Sequence, residues 1–327
     1  MKPLFSVLIL TRGRSVLLRK ALSSVFESLS PFGEKAEVLV LINGPDPESL
    51  KVLGDFPEVK VLSLPVHQHP GQARNSLVAE AQGDYCVFLD DDLTVPKNYF
   101  EVLHRVISSV ENHSVFGGPN WTPESSSFFQ RLQGKWLSDP WLVGPVARRY
   151  HLEGSEPVGE ESLILCNLTI KAPLAKNFPF TADLICAEEN EWLSRLESAG
   201  HHFYASSELG VFHERRASFA AFLQQIKKYG YGRGQIFLRS RRRWYHWFPS
   251  LTLLGALAGF VLVPQLVLLV FSAYWLIWLV QGSLISSPYT IRERLLTVAL
   301  MPWVHLTYAL FVLRGMQDSI TRKAWPF

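Results

Sequence analysis

The feature that most constrains this chain is a long stretch without charged side chains near its C-terminus. No Asp, Glu, Lys or Arg occurs from Trp244 to Ile291, which is typical of membrane segments. As one helix, Leu251 to Val280 would extend about 45 Å, against about 30 Å of hydrocarbon. We therefore predict a hairpin over about 248–281 with Pro264 at its tip. Each arm of the hairpin is short for a full span of the bilayer. A shallow or re-entrant hairpin is therefore an alternative.

A second apolar segment, about 295–313, is long enough to cross a bilayer but contains Pro302 and His305. It either crosses or lies in the interface, and the basic pair Arg322 and Lys323 favours the interface. Arginines flank the predicted hairpin: Arg239, Arg241, Arg242, Arg243, Arg292 and Arg294. Because basic flanks stay in the cytosol, we expect residues 241–327 to form a region of the inner or plasma membrane, with residues 1–240 as a cytoplasmic domain.

The chain before residue 240 alternates short apolar runs with helical periods. The runs are "FSVLIL", "AEVLVLI", "VKVLSL" and "DYCVFL", and this alternation predicts a mixed, mostly parallel α/β sheet. Thr11, Asn43 and Asp90 stand at the carboxyl ends of strands, where such sheets bind ligands. Residues Pro119 to Glu161 are rich in Trp, Pro, Ser and Gly, so we expect a long, partly irregular binding segment there.

Composition excludes several other classes of protein. The formal net charge is +3, and Lys and Arg do not interleave with aromatic residues along one face, so nucleic acid is not expected as a partner. Cys86, Cys166 and Cys186 are far apart and lack metal-ligand spacing, which favours a reducing compartment over a disulfide framework or a zinc site.

The strongest local motif is "FLDDDLTVP", an apolar strand that ends on Asp90, Asp91 and Asp92. Clustered carboxylates repel one another unless a cation neutralises them. Oxygen ligands at an open strand end suit Mg²⁺ or Mn²⁺ bound to phosphates. The alternative is a solvated turn or a helix cap, for which aspartate is common.

Three more motifs accompany the aspartates: "FSVLILTRGR" at the start, "HPGQARNS" from His69 to Ser76, and "CAEENEWLSRLESAG" further on. In this order and at these separations they resemble family 2 of the inverting glycosyltransferases, over about Phe5 to Gln235. The resemblance implies a GT-A (Rossmann-like) fold, a nucleotide-sugar donor, a divalent metal, and the hydrophobic C-terminus that many members carry.

By position, the resemblance assigns donor contacts to residues at strand ends and in the second motif: Thr11, Arg12, Arg74, Asn75 and Asp90. Asp90 and Asp92 correspond to the DxD carboxylates, and Asp92 is the first choice for the metal. At Ile42 the chain departs from the family, because many members have there an aspartate that helps to hold the nucleotide base. Asn43 or Asp46 is expected to substitute, and the identity of the base stays open.

The third motif supplies a second acidic pair, Glu188 and Glu189, at the start of a predicted helix. Acidic residues in a first helical turn favour the macrodipole, so ordinary capping is the alternative. An acceptor hydroxyl needs a carboxylate to take its proton as it attacks. By resemblance, Glu189 is the base and Glu188 supports it, although a glutamate replaces the usual aspartate and leaves the choice between the two open.

Basic residues and a histidine complete the predicted site. By resemblance, His213 helps to hold the metal or the diphosphate, and Arg216 pairs with phosphate oxygens; a structural histidine and a surface salt bridge are the alternatives. Arg74 could likewise pair with a surface carboxylate. The segment "KKYGYGRGQ" contains glycines that would break a helix and a charge that would meet anionic lipid.

Taken together, these motifs predict a membrane-anchored inverting glycosyltransferase that uses a nucleotide-sugar donor. The hydrophobic C-terminus indicates a lipid-linked acceptor and synthesis of a cell-surface glycan. Two alternatives stay open: transfer onto a polyprenyl phosphate, whose anionic acceptor has less need of Glu189 as base, and a catalytically silent membrane scaffold with the same fold.

Overall fold

The computed structural model describes residues 2–237, 248–284 and 289–321. It divides into two compact units, Met1–Ser126 with Pro145–Arg215, and Ser127–Gly144 with Arg216–Phe327. The arginines predicted to flank the hairpin on its N-terminal side, Arg239 and Arg241 to Arg243, lie outside the described residues, as do Arg322 and Lys323. The domain boundary near residue 240 stays a prediction.

The first unit is built on an eight-stranded mixed sheet with strand order β3-β2-β1-β4-β9-β6-β10-β8, and a three-stranded sheet has the order β5-β11-β7. Strands β1 to β4 are mutually parallel where they pair, whereas β9 runs antiparallel to both β4 and β6. The strands are β1 Phe5–Thr11, β2 Ala36–Asn43, β3 Val59–Leu64, β4 Tyr85–Asp90, β5 Leu93–Thr94, β6 Val115–Gly117, β7 Asn120–Trp121, β8 Ser155–Val158, β9 Asn167–Lys171, β10 Phe203–Ser206 and β11 Val211–His213.

Helices cover both faces of the large sheet, which explains why its central strands are apolar on both sides. Val7 and Ile9 belong to one core cluster and Leu8 to the other, as the two-residue period of a strand requires. Burial of each such side chain contributes about 1.5–3 kcal/mol. The helices of the whole chain are α1 Ser15–Leu29, α2 Pro47–Leu53, α3 Pro70–Glu80, α4 Tyr99–Ser109, α5 Phe128–Ser138, α6 Pro140–Val143, α7 Ala172–Asn177, α8 Glu188–Ser198, α9 Phe219–Gln235, α10 Phe248–Leu262, α11 Pro264–Leu284 and α12 Ile291–Thr321.

The segment between Pro119 and Glu161 is more ordered than its composition predicts. It contains α5, whose first turn is closed by a capping box: Gln130 N donates to Ser127 Oγ, and Ser127 N donates to Gln130 Oε1. The weak periodicity of the sequence hid this helix, because its buried face includes a glutamine and a glycine, Gln133 and Gly134.

In the second unit, α9 does not end at its glycines. Instead it continues to Gln235, and the glycines let it approach α12. A Cβ added at Gly230 would lie 2.5 Å from the carbonyl oxygen of Tyr308, and one at Gly234 would lie 2.6 Å from Met316 N. Tight packing on α12 thus outweighs the low helix propensity of glycine, about 1 kcal/mol per residue.

Where the structure describes it, over 248–284, the charge-free stretch forms two helices with a break at the predicted proline. Helix α10 ends at Leu262 and α11 begins at Pro264. Among the described residues, one helix, α12, is long and apolar enough to cross a membrane on length and composition alone, while the apolar helices Ser250–Leu262 and Pro264–Leu276 are shorter.

Candidate active site

The three aspartates lie where β4 ends and the chain turns into β5. Asp91 and Asp92 are buried, and the side chain of Asp90 is 35% exposed. Thr11 Oγ1, at the end of β1, donates to Asp91 Oδ2 over 2.7 Å. Arg14 Nη1 donates to Asp91 Oδ1 over 2.9 Å and to Asp92 Oδ2 over 2.6 Å. These two donors hold a dense negative cluster in place.

The cluster is electrostatically strained. Burial raises the pKa of Asp91 to about 6, in spite of the opposing charge of Arg14. Burial and the neighbouring Asp92 also raise the pKa of Asp90. Carboxylates whose charged forms are disfavoured in this way gain from a bound cation, which removes both penalties at once.

His213 faces these carboxylates from β11. Its Nε2 atom lies 3.2 Å from Asp92 Oδ1, and its Nδ1 atom lies 2.9 Å from the carbonyl oxygen of Glu214. That carbonyl can only accept, so Nδ1 donates to it. Nε2 then faces the carboxylate oxygen of Asp92 across a gap that either a proton or a metal ion can occupy.

Cys166 lies beside this site but does not fit the role of a metal ligand. Ligand atoms of Asp90, Cys166 and His213 lie within 4.8 Å of one another. However, burial raises the pKa of Cys166 well above that of a free thiol, and its Sγ donates to Asn120 Oδ1 over 3.1 Å. Metals bind the thiolate, so Asp90 and His213 remain of this group. Asp92, the first choice for the metal, is not part of the group, although its Oδ1 lies 3.2 Å from His213 Nε2. Carboxylates and an imidazole are a donor set suited to Mn²⁺ or Mg²⁺.

The acidic pair stands at the first turn of α8. Ala187 before it has φ of 63°, in the left-handed region that alanine rarely adopts, a strain of the kind that clusters at functional sites. Glu188 is buried and accepts a hydrogen bond from Arg74 Nη1. Arg74 Nη2 also lies 3.9 Å from Asp90 Oδ1, so one guanidinium group joins the acidic pair to the aspartate cluster.

The two glutamates have different surroundings. Burial and the charge of Glu189 raise the pKa of Glu188 to about 7, although Arg74 opposes the shift. Glu189 is only half-buried, and Asn190 Nδ2 donates to its Oε1 over 2.9 Å. Arg149 Nη2 in turn donates to Asn190 Oδ1 over 3.0 Å. Glu188 is therefore held by its ion pair, whereas Glu189 is oriented and still accessible.

Two of the residues predicted to bind the sugar donor, Asn43 and Asn75, form hydrogen bonds to backbone groups of the protein. Asn43 donates to the carbonyl of Gln68 and accepts from its N–H, over 2.9 and 2.8 Å. Asn75 clamps the backbone of Phe180 in the same way, over 2.9 and 2.8 Å. Both amides thus position loops at this edge of the sheet.

The remaining two predicted donor residues differ in their placement. Arg12 is exposed beside buried Thr11. Arg216 belongs to the second unit, where its N–H donates to Gln133 Oε1 over 3.0 Å. The donor roles of all of these residues stay predictions.

Sequence reasoning missed three residues of the site: Arg14, Asn190 and Arg149. Arg14 lies in the "TRGR" motif, and its distance from the aspartates along the chain hid the pairing. Asn190 directly follows the acidic pair in the sequence, and this position was the signal that could have identified it as a residue of the site. Arg149 is buried in the segment that was expected to be irregular.

The fold has solved counterparts. The mannosyltransferase PcManGT from Pyrobaculum calidifontis, in complex with GDP-Man and Mn²⁺, matches with a TM-score of 0.59 at 13% identity, covering 99% of this chain and 89% of that chain. TarS 1–349 of S. aureus, in complex with UDP-GlcNAc, matches with a TM-score of 0.52 at 14% identity, covering 99% and 93%. Among curated proteins, none matches the chain by sequence.

These likenesses and the strand order identify a GT-A fold with a mixed, mostly parallel sheet. Residues 6–157 match the family described as Glycosyl transferase family 2. Over these residues the chain resembles a family 2 glycosyltransferase domain, and this match together with the shared fold makes it a glycosyltransferase. The predicted fold class and enzyme class are confirmed.

Proposed function

We propose that this glycosyltransferase moves a sugar, with inversion, from a nucleotide-sugar donor to a lipid-linked acceptor in the synthesis of a cell-surface glycan. The observation that carries the proposal is the position of Arg74 between Asp90 and Glu188. It brings a candidate cation site and a candidate base to one edge of one sheet, as direct displacement by an acceptor requires.

The cation would be Mg²⁺ or Mn²⁺, held by Asp92, Asp90 and His213. Once bound, it would neutralise charge on the diphosphate of the donor. PcManGT, a structure of the same fold, was solved with Mn²⁺. The imidazole and carboxylate ligand atoms that His213, Asp92 and Asp90 bring to the end of β4 support the same kind of site in this chain.

The donor would lie along the ends of β1 and β2, beside Thr11, Arg12 and Asn43. Arg74, Asn75 and Arg216 complete the proposed set of donor-binding residues. Arg74, whose side chain is 14% exposed, fits a role in orientation, because its charge is already balanced by Glu188 and Asp90. PcManGT and TarS were solved with GDP-Man and UDP-GlcNAc, so the fold accommodates more than one base.

We assign the general base to Glu189 and its support to Glu188. A base must reach the acceptor hydroxyl, and Glu189 is the more exposed of the two carboxylates. Glu188 is committed to Arg74. Glu189 would take the proton of the hydroxyl as its oxygen attacks the anomeric carbon opposite the leaving diphosphate, which inverts that carbon.

Membrane attachment through α10, α11 and α12 supports the lipid-linked acceptor. The exposed faces of α10 and α11 are rich in leucine, valine and phenylalanine, and no charged residue occurs in either helix. A catalytic domain in the cytoplasm would meet the nucleotide-sugar pool there, and attachment would raise the effective concentration of an acceptor in the same layer.

The test compares Glu189→Gln with Glu188→Gln and with a surface control, Glu101→Gln on α4. For Glu189→Gln we expect turnover to fall about 10² to 10⁴-fold with donor affinity unchanged, because only proton removal is lost. Donor affinity is read as thermal stabilisation across a panel of nucleotide sugars. Full turnover in Glu189→Gln would refute the base and favour an already anionic polyprenyl phosphate acceptor. Stabilisation by no nucleotide sugar would favour the silent scaffold.

A further inference from the structure

One face of α12 is exposed and apolar. Leu295, Trp303, Leu306 and Leu310 are exposed on it, with fractions from 37% to 61%, and Ala299 lies between them. Their spacings of three and four residues put them on one side of a helix. We call these five residues the α12 stripe.

The opposite face of α12 carries several polar groups. Residues of α5 and α6, in the same unit, pair with them. Lys135 Nζ of α5 lies 2.7 Å from Glu293 Oε1. Trp136 Nε1 donates to Thr297 Oγ1 over 2.7 Å. His305, one of the two residues that made this segment ambiguous, has Nε2 at 2.9 Å from the carbonyl oxygen of Leu142. The polar groups of Glu293, Thr297 and His305 therefore point towards protein.

Helix α9 lies along α12 in the same direction and carries charge at its middle. Gly230 contacts Tyr308, and Ser319 Oγ donates to Gln235 O over 3.2 Å. Exposed Lys228 precedes Gly230 by two residues, so it lies level with about position 306 of α12. If α12 crossed the bilayer, this charged side chain would be exposed near the bilayer midplane, where ionisable residues are strongly disfavoured.

The connection between α5 and α6 also argues against a helix α12 that crosses the bilayer. Asp139 Oδ1 accepts from Trp141 N over 2.9 Å and caps the short helix α6. This irregular backbone lies beside α12 between the levels of Thr297 and His305, as the contacts of Trp136 and Leu142 show. If α12 crossed the bilayer, the half-exposed carboxylate of Asp139 would also lie at the depth of the hydrocarbon region, where ionisable side chains are strongly disfavoured.

We propose that α12 lies in the plane of a membrane interface and does not cross the bilayer, with the α12 stripe in lipid and α5 and α9 on the aqueous side. The occupant of the stripe is a lipid bilayer because the stripe is continuous with uncharged α10. Ser250 Oγ of α10 donates to Ala309 O over 3.1 Å, and Leu251 and Leu257 of α10 are 57% and 58% exposed. The inference rests on the proposed membrane attachment and adds the orientation of its last helix.

The test measures depth along the stripe in the full chain. Single nitroxide labels are placed by Leu295→Cys, Trp303→Cys, Leu306→Cys and Leu310→Cys in a Cys186→Ser background, since Cys86 and Cys166 are buried. The protein is reconstituted in vesicles of phosphatidylcholine and phosphatidylglycerol, and depth is read from relaxation by oxygen and by a water-soluble nickel complex. Leu268→Cys on α11 and Lys51→Cys on α2 are the lipid and water references.

An interfacial helix predicts the same shallow depth at all four positions, about 5–10 Å into the headgroup and acyl boundary. A crossing helix predicts depths that change along about 22 Å between Leu295 and Leu310, which would overturn the proposal. Water exposure of all four labels with Leu268→Cys in lipid would also overturn it, in favour of a protein partner, while membrane attachment would stand. If Leu268→Cys also reports water, the attachment itself is wrong.

Discussion

Asn190 donates a hydrogen bond from Nδ2 to Oε1 of Glu189 over 2.9 Å. The same amide accepts at Oδ1 from buried Arg149, whose Nε also donates to the carbonyl of Glu161 over 2.7 Å. Arg149 binds the oxygen end of the Asn190 amide, so the nitrogen end faces Glu189. The proposed base therefore accepts a hydrogen bond from this amide and does not face a second oxygen.

We expect Asn190→Ala to lower turnover about 10- to 100-fold, the cost of misplacing a reacting group, with donor affinity unchanged. The measurement is a split of kcat from donor KM, with Asn177→Ala on the surface of α7 as control. In a Glu189→Gln background, Asn190→Ala should cost no further turnover, since its target is gone. An equal loss in that background would show a purely structural role.

The raised pKa of Glu188, about 7, predicts opposite pH trends for activity and stability. As pH falls through about 7, Glu188 takes a proton and weakens its bond to Arg74, so turnover should fall on the acid side. The folded pKa lies above the ordinary value of 4.5; the contribution of Glu188 to stability is therefore full below that value and lost as pH rises through about 7.

The checks are pH profiles of turnover and of the thermal midpoint. Glu188→Gln should remove the acid limb of turnover with a midpoint near 7 and flatten the thermal profile over the same interval. An acid limb that keeps its midpoint in this variant would belong to another group and would contradict the assignment to Glu188.

Asp92→Asn should abolish transfer and leave the fold intact, because an amide cannot supply the charge that a divalent cation requires. Its Tm without metal should equal or exceed that of the wild type, since one of the crowded charges is gone. Mn²⁺ should raise the Tm of the wild type and of the surface control Asp84→Asn, but not that of Asp92→Asn. Wild-type activity that survives thorough chelation would contradict the metal site.

Gly234→Ala should destabilise the second unit by about 1–3 kcal/mol, the usual cost of overpacking. The added Cβ would overlap Val312 O and lie 2.6 Å from Met316 N, and both are backbone atoms that cannot rotate away. Gly255→Ala on α10 is the matched control, because a Cβ there meets nothing within 4 Å. Equal Tm values for the two variants would show that α9 and α12 do not pack as closely as described.

Much of the fold could be predicted because its signals are local. The run "FSVLIL" is buried on both faces as β1, and the predicted strand "VKVLSL" is β3. The later apolar run "SLILCNLTI" predicts one continuous strand, but only its second half is β9. The strand begins at Asn167, after a turn in which Asn167 N donates to Ile164 O over 3.2 Å. Periodicity does not show a turn inside an apolar run.

Local sequence patterns were enough to predict the order of strands and helices from β1 to β4, the acidic strand end, the acidic pair and the break at Pro264, because each depends on residues that are close along the chain. Which polar groups are already paired became visible only in the folded chain. Asn75 with Phe180 and Arg14 with Asp92 are contacts between distant segments. Such partners are set by how the strands align and how α8 packs against the sheet, and neither leaves a local pattern in the sequence.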